Sequence, residues 1–174
     1  MKLVDKRIAI LVEKLYEDLE LWYPYYRLRE AGAEVELVGT QSDTVYPSKH
    51  GYPARSDVAA KDVDESRYAG IVIPGGYAPD HLRRDPASID LVRQINQQRK
   101  PVAAICHAAW MLVSADAVKG RTLTCFQSIR DDVTNAGGKY VDEEVVVDGN
   151  LVTSRQPADL PAFCRELIAL LAAR

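Results

Sequence analysis

The chain has 174 residues, of which 47% are hydrophobic and 27% charged. That is ordinary globular usage at the length of one domain, and it excludes disordered, collagen-like and fibrous chains. The net charge is −3 and the clearest basic pair is Arg83-Arg84, so the basic stripe of a nucleic-acid binder is absent and no such partner is expected.

The first apolar run, Ile8 to Val12, is flanked by Asp5, Lys6 and Arg7 on one side and Glu13 on the other. It is too short for a signal-peptide core or a membrane span, so a cytoplasmic chain without membrane contact is expected. Three cysteines, Cys106, Cys125 and Cys164, form an odd, sparse set that argues against a disulfide framework. The three histidines, His50, His81 and His107, fall in no zinc-binding spacing. Neither a metal nor a cofactor is expected.

Residues 7–12 read as a buried strand. A helix is predicted over 17–31, with Glu17, Asp18 and Glu20 early and Arg27 and Arg29 late, matching the helix dipole. Leu19, Trp22 and Tyr26 share one of its faces. Pro24 predicts a kink or a late start, and Gly32 ends the helix. A strand follows at 34–38. The polar stretch 40–68 reads as short strands or a hairpin, and 70–74 as another buried strand that leads into Gly75-Gly76 and a loop over 77–83. Asp85-Pro86 signals a helix start, with Ile89, Val92 and Ile95 on its face. Residues 101–105 form a strand running into Cys106, and a helix is predicted over 107–115. A strand at 121–125, a short helix at 128–136, a hairpin over 145–154 turning at Asp148-Gly149 and a last amphipathic helix marked by Leu160, Phe163, Leu167, Leu170 and Leu171 complete the chain. Repeated β-α units of this kind predict a mostly parallel sheet covered on both faces.

In such sheets chemistry sits beyond the carboxyl ends of the strands. Cys106 lies where a strand turns sharply into a helix, a position that projects a nucleophile above the sheet, and a helix N-terminus there would favour thiolate. Cys125 and Cys164 read as inert buried cysteines. Gly75 and Gly76 allow close backbone approach, so the N–H groups of Gly76 and His107 are candidates for an oxyanion hole. Glu17 and Asp18 open the first helix, where a desolvated carboxyl could share a proton with sulfur; on local sequence alone ordinary dipole capping is the preferred reading. His107 directly follows Cys106, and neighbours entering a helix do not face each other, so it is expected to need an acidic partner, with Asp80 and His81 nearest in sequence. No histidine follows residue 107, which disfavours a glutaminase-type Cys-His-Glu arrangement.

The segments YEDLELWYPYYRLREAG (16–32), KHGY (49–52), VIPGGYAPDHLR (72–83), KPVAAICHAAW (100–110) and NAGGKYVDEEVVVDGNLVTSRQPADL (135–160) resemble the PfpI/ThiJ superfamily, in its intracellular protease I-like, YhbO-like branch. The resemblance spans about residues 7–172 as a single domain. It implies an α/β flavodoxin-like sandwich with a mostly parallel sheet, similar to class I glutamine amidotransferases. It also implies Cys106 as nucleophile, Glu17 as its hydrogen-bonding carboxyl, Gly76 and His107 as the oxyanion hole, and Asp80 of a neighbouring subunit as the partner of His107. Dimers, or trimers and hexamers built from them, are the implied assemblies. The sequence departs from the family pattern at Ala108-Ala109-Trp110, where glycine is usual after the Cys-His pair, and at Phe126, where several relatives carry tyrosine. Gly75, Trp110 and Phe126 are expected to shape the pocket.

Three functions compete at this stage. The first is a stress-response enzyme of glyoxalase or deglycase type, in which Cys106 attacks a small carbonyl substrate to give a hemithioacetal. The second is a cysteine peptidase or amidase acting on a peptide through Cys106 and His107. The third is a redox sensor or chaperone.

Overall fold

In the computed structural model, which describes residues 3–174, the apolar runs become the strands of one sheet. These are β1 (Arg7–Leu11), β2 (Glu34–Gly39), β5 (Val58–Ala59), β6 (Gly70–Ile73), β7 (Val102–Ile105), β10 (Val145–Asp148) and β11 (Leu151–Ser154). Their spatial order is β10-β11-β7-β6-β1-β2-β5, and every pairing is parallel except the β10/β11 hairpin. β6 and β7 are buried along their whole length, which is why they read as unbroken apolar runs rather than alternating ones. The polar stretch 40–68 holds a small hairpin of β3 (Val45–Pro47) and β4 (Pro53–Arg55), as its turn residues predict. A second small pair joins β8 (Thr122–Leu123) to β9 (Lys139–Tyr140).

Two layers of helices cover the sheet. On one side α1 (Asp18–Glu30) packs on α6 (Leu160–Ala172). On the other, α2 (Ala78–Leu82), α3 (Pro86–Gln97) and α5 (Arg130–Asn135) gather around α4 (Ala109–Ser114). The Asp85-Pro86 start signal works as read: the Asp85 carboxylate accepts the Ser88 N–H at 3.0 Å. α6 buries Leu160, Phe163, Leu167 and Leu171 against the sheet.

Three expectations need correction. α1 starts at Asp18 and runs through Pro24 without a late start, since burial of Pro24, Leu21 and Leu28 outweighs the missing N–H. As read, Leu19, Trp22 and Tyr26 share a face; it is an outer one, where Leu19 and Tyr26 are 56% and 59% exposed and Trp22 stacks on Tyr26. The stretch 77–83 contains a helix, α2, rather than only a loop. The helix predicted over 107–115 opens as a tight 3-10 turn, Cys106–Ala108, before α4 begins. No helix among the described residues is long and apolar enough to cross a membrane.

Candidate active site

β1, β6 and β7 lie side by side, so the segments leaving their carboxyl ends meet over the middle of the sheet. Cys106 leaves β7 with φ +63, a conformation that side-chain-bearing residues seldom adopt and that strand-to-helix elbows impose on a nucleophile. Its side chain is recessed, with 8% of the residue exposed. The N–H groups of His107 and Gly76 lie beside the thiol and counter the rise in its pKa. Gly76 has φ +72, and an added Cβ would sit 2.4 Å from the Leu15 carbonyl oxygen. Its N–H is held in place because residues 75–77 are tied to 15–17: Tyr16 and Gly76 form an antiparallel bridge, and the Tyr77 N–H donates to the Leu15 carbonyl at 2.8 Å. The sequence-derived oxyanion pair, Gly76 and His107, is therefore brought together at Cys106.

The carboxyl is a different one. Glu20, one turn beyond Glu17 on α1, is fully buried against Cys106 and Gly75. Its Oε2 accepts the Gly75 N–H at 2.8 Å, and Oε1 is buried without a hydrogen-bond partner. A Cβ on residue 75 would sit 2.5 Å from that Oε2 and 2.7 Å from the Cys106 Cβ, so glycine is what allows the carboxyl, the loop and the thiol to converge. Burial raises the Glu20 carboxyl to about 8; the Gly75 N–H opposes the rise and the Glu17 charge adds to it. At neutral pH Glu20 thus holds a proton beside Cys106. Burial pushes the thiol well up and an ionised Glu20 pushes it further, while the two N–H groups pull it back. The expected thiolate-favouring helix terminus is not what governs Cys106; desolvation and Glu20 are. Glu17 instead forms an ion pair with Lys49, on the loop after β3. Sequence reasoning missed both Glu20 and Lys49.

His107 does face its neighbour. Its Nδ1 lies 3.2 Å from the Cys106 Sγ, because the left-handed turn at Cys106 swings the two side chains to the same side. Burial lowers the imidazole pKa and the Lys49 charge lowers it further. The ring sits among three aromatics: Phe126 stacks at 4.9 Å, Trp110 meets it edge-on at 5.2 Å, and Tyr77 lies at 6.3 Å. Trp110 is fixed by its Nε1–H to Asp132, 2.8 Å, with the Arg83 guanidinium 5.8 Å above its ring. Trp110 and Phe126 thus flank the imidazole. Asp80 is exposed on α2, and no hydrogen bond joins it or His81 to His107 within the chain. The second ring nitrogen, Nε2, meets the Ser128 Oγ at 3.2 Å instead.

Cys125 and Cys164 are buried and pushed up to about 12 by that burial, in keeping with inert thiols. Glu17, Asp18 and His50 bring ligand atoms within 4.8 Å of one another. Those atoms are already engaged: Lys49 takes Glu17, while His50 and Ser48 each reach Asp18 at 2.7 Å.

Known proteins share this arrangement of chain. A deglycase of Pyrococcus abyssi is 44% identical over 95% of this chain and 99% of its own. YraA of Bacillus subtilis, named a candidate cysteine protease, is 42% identical over 97% of this chain and 99% of its own. Among solved structures, a two-domain Anabaena variabilis protein with DJ-1/ThiJ/PfpI-like and ferritin-like domains superposes with a TM-score of 0.93 at 39% identity. That match covers 94% of this chain and 47% of the Anabaena one. With residues 6–170 also matching its sequence profile, the chain belongs to the DJ-1/PfpI family.

Proposed function

We propose that the protein is a cysteine-dependent enzyme that acts on small reactive carbonyls such as methylglyoxal, or on their adducts with amines. The observation that carries this reading is the recessed Cys106 thiol. The N–H groups of Gly76 and His107 lie beside it, Nδ1 of His107 stands at 3.2 Å, and the buried Glu20 carboxyl abuts it. A thiol 8% exposed and walled by His107 and its aromatic neighbours suits an aldehyde carbon better than the broad main chain of a peptide. The Pyrococcus abyssi relative is named a deglycase, which supports the part of this reading that concerns adducts with amines.

The chemistry follows from the positions. The Cys106 thiol gives its proton to His107 Nδ1, and sulfur bonds to the aldehyde carbon. The aldehyde oxygen takes up the electron pair as an alkoxide beside the N–H groups of Gly76 and His107, then takes the proton from His107, completing a hemithioacetal. The ionised form of Glu20, with one oxygen free of hydrogen bonds, takes the proton from the former aldehyde carbon and returns it to the adjacent carbon while the hydroxyl proton passes to the ketone oxygen, giving a lactyl thioester. Water cleaves the thioester, releasing lactic acid and restoring the thiol. Methylglyoxal and water are consumed and lactic acid forms, with no external oxidant or reductant.

The test is methylglyoxal consumption without glutathione by wild type and Cys106→Ser, with lactate quantified. Lactate equal to the methylglyoxal lost in the wild type, and none from the variant, is the expected result. Equal turnover by both proteins would remove Cys106 as nucleophile. Absence of lactate from the wild type would move the assignment to amide or peptide bonds.

A further inference from the structure

We propose that the substrate site extends past Cys106 into a second cleft, and that this cleft receives the amine half of an adduct whose amine keeps a positive charge, as an arginine side chain does. The inference rests on the reading of Cys106 as the nucleophile toward small carbonyls and their adducts with amines.

The cleft has a volume of about 490 Å³, and its lining includes Cys125, Phe126, Ser128, Tyr140, Asp142 and Arg155. That is the size of a small-molecule site. A small aldehyde bound at sulfur has no group to place there, whereas the amine half of an adduct does. The cleft lies on the same edge of the sheet as the nucleophile. β11 runs parallel to β7 with Ser154 beside Ile105, so Arg155 and Cys106 leave neighbouring strands at the same level. Phe126 and Ser128 belong to both places. They line the cleft, and they also wall the His107 imidazole, with the Phe126 ring at 4.9 Å and the Ser128 Oγ 3.2 Å from Nε2. One imidazole therefore separates the cleft from the Cys106 sulfur, which stands 3.2 Å from Nδ1.

The charges around the cleft do not balance. Arg155 donates from Nε and one terminal nitrogen to the two oxygens of Asp159, at 2.9 and 3.0 Å. Its other terminal nitrogen donates to Asp142 Oδ1 at 2.8 Å. One guanidinium thus stands between two carboxylates. Asp159 is buried, but the Asp142 side chain is 71% exposed and its Oδ2 accepts no hydrogen bond from the described residues. Arg130, the other cation that acts on Tyr140, is paired with Asp131 at 3.4 Å. The surplus charge is negative, and it sits on the carboxylate with an oxygen left to bond. Such a cleft attracts a guanidinium and repels a carboxylate. Phe126 and Tyr140 add aromatic surface, on which a guanidinium packs well and is attracted by the rings.

The experiment uses the full chain as purified and two probes, Nα-acetylarginine amide and its neutral isostere Nα-acetylcitrulline amide. In calorimetric titrations the citrulline probe is expected to bind about fivefold more weakly than the arginine probe. Asp142→Asn, which keeps an oxygen for Arg155, is expected to remove that preference. Tyr140→Leu, which takes away a ring and no charge, should weaken the arginine probe about threefold. The second readout is release of the arginine probe from its methylglyoxal adduct, against an enzyme-free control. In Asp142→Asn the ratio of kcat/KM for the adduct to that for free methylglyoxal should fall about fivefold, through KM. Equal affinity of the wild type for the two probes, no binding of either at millimolar concentration, or an undiminished preference in Asp142→Asn overturns the proposal. If the wild type converts no methylglyoxal, the reading of Cys106 fails, while the titrations still decide whether the cleft takes a cation.

Discussion

Replacing Glu20 by glutamine should abolish a fall in stability that the wild type shows between about pH 5 and about pH 8. The carboxyl titrates at about 8 in the folded chain, raised by burial from 4.5. Between those values the folded chain holds a proton that the unfolded chain has released, so stability declines as pH rises. Integrated over the window, this single fully buried group accounts for roughly 3–4 kcal/mol. Glutamine keeps an oxygen to accept the Gly75 N–H, which is 2.8 Å from the carboxylate in the wild type, and carries no charge to bury. The assay is urea unfolding of both proteins across the window; stopping near pH 8 keeps the raised Cys106 thiol out of the titration. The difference between the two stability curves should open toward alkaline pH in favour of the variant. Parallel curves would mean that Glu20 is ionised in the folded chain, and its proton at neutral pH would have to be abandoned.

The Glu17 charge helps to raise Glu20, so Glu17→Gln should move the same stability decline toward acid pH; an unchanged midpoint would separate the two carboxyls. Gly75→Ala forces a methyl group against Glu20 and Cys106, and should cost about 1–3 kcal/mol. Its melting temperature and the rate of Cys106 alkylation are both expected to drop, and a wild-type melting curve would refute the crowding.

The fold was legible because its strands are short apolar runs separated by well-signalled helices, and a signal such as Asp85-Pro86 acts locally. The elbow was legible for the same reason: a strand ending in Cys106 leaves few directions for the chain. The carboxyl was misassigned by one helical turn, since two acidic residues open α1 before Glu20 and all three suit its dipole. Helical phase would have separated them. Glu20, Pro24 and Leu28 recur every fourth residue along the buried face, and an acid in that stripe is the one expected to be desolvated. Ser128 could not be read at all. Its place beside His107 depends on how a turn after β8 folds back on the elbow, a contact between distant parts of the chain that no local pattern encodes.

The strap between residues 15–17 and 75–77 bears on when the nucleophile comes into being. Its two halves come together only as β1 and β6 pair, with Ile8 beside Gly70, and β7 then adds alongside β6. Such long-range parallel pairing forms late and slowly. During synthesis and refolding Cys106 is therefore an ordinary solvated thiol, without its donors, its acid or its shelter. Oxidative damage at this residue should thus concentrate on newly made or transiently opened chains, and the age of the molecule, as much as the exposure of its native site, sets its vulnerability.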